Sequence, residues 1–166
     1  MEAKKASDSQ STMIEFALPN DAKVFGSVLG GKGMHLIDIA SALAALRHCR
    51  KPVVMASVGS LSFLHPIKVG EMIVLQSQVT RAFTTSLEVE VQVYAEDGLS
   101  GERTKTSNAF LTFVAIGSDG KPSPVPPVLA GTAREKQQYR EALQRRPWRL
   151  QQLTGKRGDR RRPASG

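Results

Sequence analysis

Between Gly31 and Arg47 the pattern does not alternate, and the middle of this run, IDIASALAALR, is nearly all apolar. Ala, Leu and Met dominate the run, and these are strong helix formers. The stretch therefore predicts one helix, and because it is apolar nearly all round it predicts a buried one. Pro19, Gly26, Gly30 and Gly31 punctuate the loop before it. Arg47-His48-Cys49-Arg50 places positive charge at the helix C-terminus, where the dipole favours it, and Pro52 stops continuation.

After Pro52 the pattern changes period. Val53 to Phe63 is rich in β-branched and small residues, His65-Pro66 breaks it, and Val69-Gly70-Glu71 reads as a turn. In Met72 to Phe83, Ile73, Leu75, Ser77 and Val79 alternate with Val74, Gln76, Gln78 and Thr80. Leu87, Val89, Val91 and Val93 then alternate with Glu88, Glu90 and Gln92. This is the period of a half-buried strand, with the glutamates on the solvent face. Asp97-Gly98 and Ser100-Gly101 mark turns, and Glu102 to Ile116 reads as a last long strand. Before the helix, Met13 to Leu18 forms a short strand stopped by Pro19. One strand, one buried helix and four strands give an α+β fold, with an antiparallel sheet of about five strands wrapped round a long central helix.

The flanks read differently. Residues 1–11 are polar and are expected to be disordered. The run KPSPVPP is expected to lead away from the domain. Residues 132–145 predict a second, surface helix, with Thr132 as its cap, Glu135 three places on and Pro147 as its end. The last stretch, GKRGDRRRPASG, reads as a disordered basic tail. The chain thus divides into a 1–11 N-terminus, a 12–128 domain and a 129–166 C-terminal helix and tail.

Charge follows this division. The chain has 166 residues and a net charge of +8. Residues 1–130 hold 12 Lys/Arg and 12 Asp/Glu, whereas residues 131–166 hold 11 and 3. The body is balanced, so nucleic-acid binding can rest only on the tail; no specific nucleic-acid partner is expected. No segment is apolar and long enough to span a bilayer, and MEAKKASDSQST lacks the apolar core of a signal peptide. Cys49 is the only cysteine, so no intrachain disulfide can form. A cytoplasmic protein is expected. Three dispersed histidines, His35, His48 and His65, and one cysteine make no metal-binding spacing.

One carboxylate, Asp38, interrupts the apolar helix, and a buried acid is costly unless it is paired or has a function. Two glycines, Gly30 and Gly31, stand where the helix starts and free N–H groups point outward. Such a helix start favours negative charge, and glycine lets a ligand approach the backbone closely. A buried acid thus lies next to a glycine-lined site for an anion or a carbonyl. Gly31 and Asp38, seven residues apart, are separated by about 10 Å along the axis. That is too far to act on one carbonyl, so the spacing predicts a site in which Asp38 of one subunit serves the glycine pair of another.

The glycine pair before a buried helix carrying Asp38, together with LPNDAKVFGSVLGGKGMHLID, RHCRKPVVMASV, FLHPIKVGE, TSLEVEVQVYAED and AFLTFVAIGSDGKPSPVPP, resembles the hotdog-fold acyl-CoA thioesterases. The nearest groups are the bacterial short acyl-CoA thioesterases and the domains of the brain-type acyl-CoA hydrolase. The resemblance covers roughly residues 13 to 128. It implies a hotdog fold, a dimer or double-hotdog unit, hexamers assembled as trimers of dimers, a fatty acyl-CoA substrate and no cofactor beyond the coenzyme A of the substrate. It implies catalytic roles for Asp38, as general base or as nucleophile, and for Gly30 and Gly31.

The sequence departs from the family at several positions. Lys23 stands where the family often has an asparagine of the active site, Gly59 and Ser62 where acids are common, and Leu29 where some members carry histidine. Lys23 therefore favours an alternative in which the chain binds acyl-CoA as a sensor or carrier without hydrolysing it. Coenzyme A is anionic, so Lys23, Lys32, Arg81, Arg103 and Lys105 are candidate phosphate contacts. Thr84, Thr85 and Ser86 offer hydroxyls to its nucleotide.

Overall fold

The computed structural model describes residues 1–21 and 30–159; of Gly30 and residues 147–159 it describes only the helical backbone. Five strands make one antiparallel sheet: β2 (Ser11–Phe16), β3 (Val53–Phe63), β4 (Met72–Ala82), β5 (Ser86–Glu96) and β6 (Arg103–Ala115). Their order is β2-β4-β5-β6-β3, so β2 and β3 are the two edges. The helix α1 (Gly30–Cys49) lies along the inner face. Ile73, Leu75, Val79, Val89, Val91, Leu111 and Phe113 project from that face and bury against Leu36, Ile37, Ala40, Ala44 and Ala45. The small alanines let the helix approach closely, and the Ser77 hydroxyl donates to the Ala40 carbonyl at 2.7 Å. Arg50, at φ 52°, closes α1 in the left-handed conformation.

The fold corrects four expectations at the flanks. Residues 1–11 are not disordered: β1 (Lys4–Lys5) pairs in parallel with β7 (Val128–Leu129), and a 3-10 turn spans Ala6–Ser9. Ala6 and Ser9 are buried, and the Ser9 hydroxyl accepts the Val79 N–H at 2.9 Å. The segment fills a gap between α1 and β4, a tie invisible in four polar-looking residues. The Pro-rich run likewise does not leave the domain. Lys51 Nζ donates to Ser123 Oγ and to the Pro124 carbonyl, and Val125 and Val128 are buried.

The second helix, α2 (Ala133–Asp159), is the expected surface helix, its described side chains exposed or half-buried except for the buried Ala142, but it is not ended by Pro147. Thr132 and Glu135 do form the expected capping box, with Glu135 N–H on Thr132 Oγ1 at 3.1 Å and Thr132 N–H on Glu135 Oε2 at 3.2 Å. The proline removes one backbone hydrogen bond, and the helix continues past it to Asp159, so the stretch from Gly155 is helical to that point. The rest of the basic tail, 160–166, lies outside the described residues. The inner side of α2 covers the outer face of the sheet. There Glu88 and Glu90 are buried rather than solvated. Arg145 holds Glu88 with two hydrogen bonds, at 2.6 and 3.0 Å, and stacks its guanidinium 3.8 Å over the Phe110 ring. Arg134 reaches Glu90 at 2.9 Å.

Candidate active site

α1 begins at Gly30, as the glycine pair suggests. Among the described residues, no backbone or side-chain group accepts the N–H groups of its first turn. These amides and the helix dipole make the turn electropositive and open. Gly31 is exposed, and a Cβ built on it would meet nothing among the described residues within 4 Å, so an outside group has room to approach. Asp38 lies two turns on and is half-buried, not fully enclosed as its apolar context implies. Its backbone carbonyl accepts the Ser41 hydroxyl at 2.9 Å, whereas its carboxylate makes no hydrogen bond or ion pair among the described residues. The two halves of the expected site therefore stand on one helix, too far apart to meet at one carbonyl within one chain.

An apolar cavity of about 420 Å³ lies beneath the N-terminal half of α1. Gly33, Leu36 and Ile37 form its roof, Ile73, Leu75 and Val93 its floor, and the Phe63–Ile67 segment one side. The helix start therefore overlies the end of the sheet where β3 finishes and β4 and β6 begin. Gly33 escaped the sequence reading, although a third glycine inside the first helical turn is a visible anomaly.

The other candidates scatter. Lys32 stands on the first turn of α1 and lies 3.9 Å from Asp21. Arg103 is at the same end of the sheet but is paired with Glu96 at 2.6 Å. Arg81 is taken up by α2, its guanidinium 4.0 Å over the Tyr139 ring. Thr84, Thr85 and Ser86 form the β4–β5 connection at the opposite end of the sheet, about 30 Å along the strands from the helix start. They do not meet Asp38 within one chain. His35 is exposed on α1, and His48 is buried at its far end. Lys23 and Leu29 lie outside the described residues. Among the described residues, no cluster of His, Cys, Asp or Glu could hold a metal ion, and no helix is long and apolar enough to cross a membrane.

Residues 25–102 match the thioesterase superfamily. The uncharacterized acyl-CoA thioester hydrolase YkhA of Bacillus subtilis is 39% identical over 144 residues, which is 87% of this chain and 84% of that protein. This chain belongs to the acyl-CoA thioester hydrolases. The mouse cytosolic acyl coenzyme A thioester hydrolase is 35% identical over 84% of this chain, which spans 37% of its length. The crystal structure of an apo-hexameric acyl-CoA thioesterase, 37% identical, superposes with a TM-score of 0.88 over 92% of this chain and 97% of that one. The hotdog architecture expected from the sequence is therefore borne out, with α1 as the central helix.

Proposed function

We propose that this hydrolase cleaves fatty acyl-CoA thioesters to the acid and free coenzyme A at a site shared between two subunits. The observation that carries this reading is the half-buried Asp38 carboxylate without a partner among the described residues, on the helix whose first-turn amides are open. In the reaction the thioester carbonyl rests against the N–H groups at Gly30 and Gly31 of one subunit, which stabilise the developing oxyanion. Asp38 of the other subunit either draws the proton from an attacking water or attacks the carbonyl itself, forming a mixed anhydride that water then hydrolyses to release the acid. The thiolate of coenzyme A leaves.

The monomer carries a surface suited to this arrangement. Ile39, Leu43 and Leu46 are exposed on α1, and Val54, Met55 and Phe63 on the edge strand β3. A long edge strand rich in apolar residues is a template for pairing with a second copy. Two-fold antiparallel pairing of β3 strands makes a dimer, and hexameric relatives fit three such dimers. The same two-fold axis brings the partner's β4–β5 end of the sheet to the end where α1 starts. Thr84 and Ser86 can then serve the nucleotide only from a neighbouring subunit, while Lys32 and, where it faces the cleft, Lys23 meet phosphate from the subunit that holds the amides. Arg103 joins them only by releasing Glu96. We place the protein in the cytoplasm, without a resident cofactor.

Thiol release across an acyl-CoA panel tests turnover. Subunit mixing tests the sharing: Asp38→Ala and Gly31→Leu proteins, each inactive, regain part of the activity as mixed dimers. If subunits exchange and no activity returns, the shared site is wrong. The Lys23 substitution supports a second reading, acyl-CoA binding without turnover. In that case the panel shows tight binding and no thiol.

A further inference from the structure

Gly33 sits inside the first turns of α1, where glycine is a poorer helix former than alanine. Nothing in the packing of the described residues demands it there. Its φ is not in the left-handed region, and a Cβ built on it meets no atom of the described residues within 4 Å. What the missing side chain leaves is space. Gly33 shares a helix face with Leu36 and Ile37, and all three roof the 420 Å³ cavity over Ile73, Leu75 and Val93. A side chain at 33 would enter that cavity.

We propose that the cavity takes the hydrocarbon tail of a long-chain acyl-CoA and that Gly33 sets how long a tail it accepts. The inference rests on the acyl-CoA reading above. Its volume falls within the range of sites that enclose small ligands, about 300–1,000 Å³. Among the described residues its walls are apolar apart from His65 and Ser107, so they reward methylene groups and give little to a short polar acyl group. Its roof is the same stretch of α1 that offers the open amides at one end and Asp38 at the other. A carbonyl held at the helix start can therefore send its tail beneath the helix without crossing solvent. Phe63 and Leu64, which line one side of the cavity, are 59% and 56% exposed, so its apolar lining continues onto the surface.

The test compares wild type, Gly33→Ala and Gly33→Leu on acetyl-, octanoyl- and palmitoyl-CoA, following thiol release. Binding of S-hexadecyl-CoA, a thioether that cannot be hydrolysed, is measured by calorimetry. Each buried methylene contributes roughly fourfold in affinity. The palmitoyl-to-acetyl ratio of kcat/KM should therefore fall at least about tenfold in Gly33→Leu and less in Gly33→Ala. The thioether Kd should weaken in parallel. Both replacements favour helix, so Tm should not fall. A palmitoyl-to-acetyl ratio in Gly33→Leu within about twofold of wild type, less than the loss of one buried methylene, overturns the proposal, as does an equal loss at every chain length. A wild-type protein that releases no thiol but binds the thioether in a Gly33-dependent way retires the hydrolytic reading and upholds the chamber.

Discussion

α1 and α2 cover opposite faces of one sheet, and each brings an acidic residue into apolar surroundings. On the outer face Glu88 is fully buried, and it is answered by Arg145 in two hydrogen bonds and by the Thr80 hydroxyl at 2.7 Å. Arg146 and Arg81 add stacking on Phe83 and Tyr139. These contacts hold the helix down on the sheet. On the inner face Asp38 is only half-buried and makes no side-chain bond among the described residues. The two faces separate a structural acid from a chemical one. A carboxylate that stabilises the fold is enclosed with its cation, and one that acts on a substrate keeps its lone pairs available.

The comparison is most severely tested at Arg145. Its removal strips the cation from a buried carboxylate and the guanidinium from the Phe110 ring. Arg145→Ala should cost about 3 kcal/mol in chemical denaturation, the lower end for breaking a buried pair. Replacing both partners, as Glu88→Leu with Arg145→Leu, should recover most of that loss, because a buried pair is often no better than apolar packing. A denaturation midpoint unmoved by Arg145→Ala would mean that α2 is not clasped by its charges.

Asp38 should give the opposite signature. Asp38→Asn should lower turnover by at least about a hundredfold, the lower range for loss of a general base, with the oligomer folded and Tm little changed. Near wild-type hydrolysis by a folded Asp38→Asn protein removes it from the mechanism. A large drop in Tm would make it a structural acid like Glu88.

The same contrast explains what was legible in the sequence. β3 spans Val53–Phe63 as read, β4 and β6 begin and end within one residue of the stretches read as strands, and β5 runs three residues past the alternating Leu87–Val93. Apolar periodicity is local, so it can be read locally. The glutamates of β5 obey the same alternation, yet they are buried. What buries them is a pair of arginines 44 and 57 residues further along the chain, a contact no local pattern contains. The N-terminal turn escaped for a related reason. Ala6 and Ser9 are buried by what they pack on, and four residues are too few to show a period. In the site, the spacing of Gly31 and Asp38 was readable because a helix converts sequence separation into distance. The cavity was not, because its roof is a helix and its floor comes from two strands far along the chain.

Lys23 bears on the same comparison from the sequence, since it offers Asp38 the cation that Glu88 has. A lysine reaching the opposing Asp38 would hold it ionised and make it a poorer base or nucleophile. Lys23→Asn should then raise the turnover number with little change in Tm. A Lys23→Asn protein that is no faster shows that the ammonium faces solvent or the coenzyme A phosphates.

The smallest expected effect lies at the other end of α1. His48 is buried at 1% exposure, and its Nε2 donates to the Pro126 carbonyl at 2.7 Å. Nδ1 has no partner among the described residues, so the neutral ring with its proton on Nε2 suits the site and a second proton does not. Burial is the main cause that holds the pKa of His48 below 6.5; the Pro126 carbonyl and Asp8 oppose it, and Lys4 adds to it. Below pH 6.5 the unfolded chain takes up a proton that the folded chain declines, so stability falls with decreasing pH until the folded pKa is reached. Above 6.5 His48 contributes no pH dependence. Asp97, lowered by the Ser100 and Leu99 N–H groups, and Glu135, raised by burial but brought down overall by the Gly131 and Thr132 N–H groups and Gln78, act only at lower pH. Melting curves of wild type should therefore show Tm declining as pH drops just below 6.5, well before the carboxylates titrate, and His48→Gln should flatten that segment. If both proteins lose Tm with the same slope there, the buried imidazole is not its origin. The two ends of α1 would then differ only in exposure, and not in how each holds its titratable group.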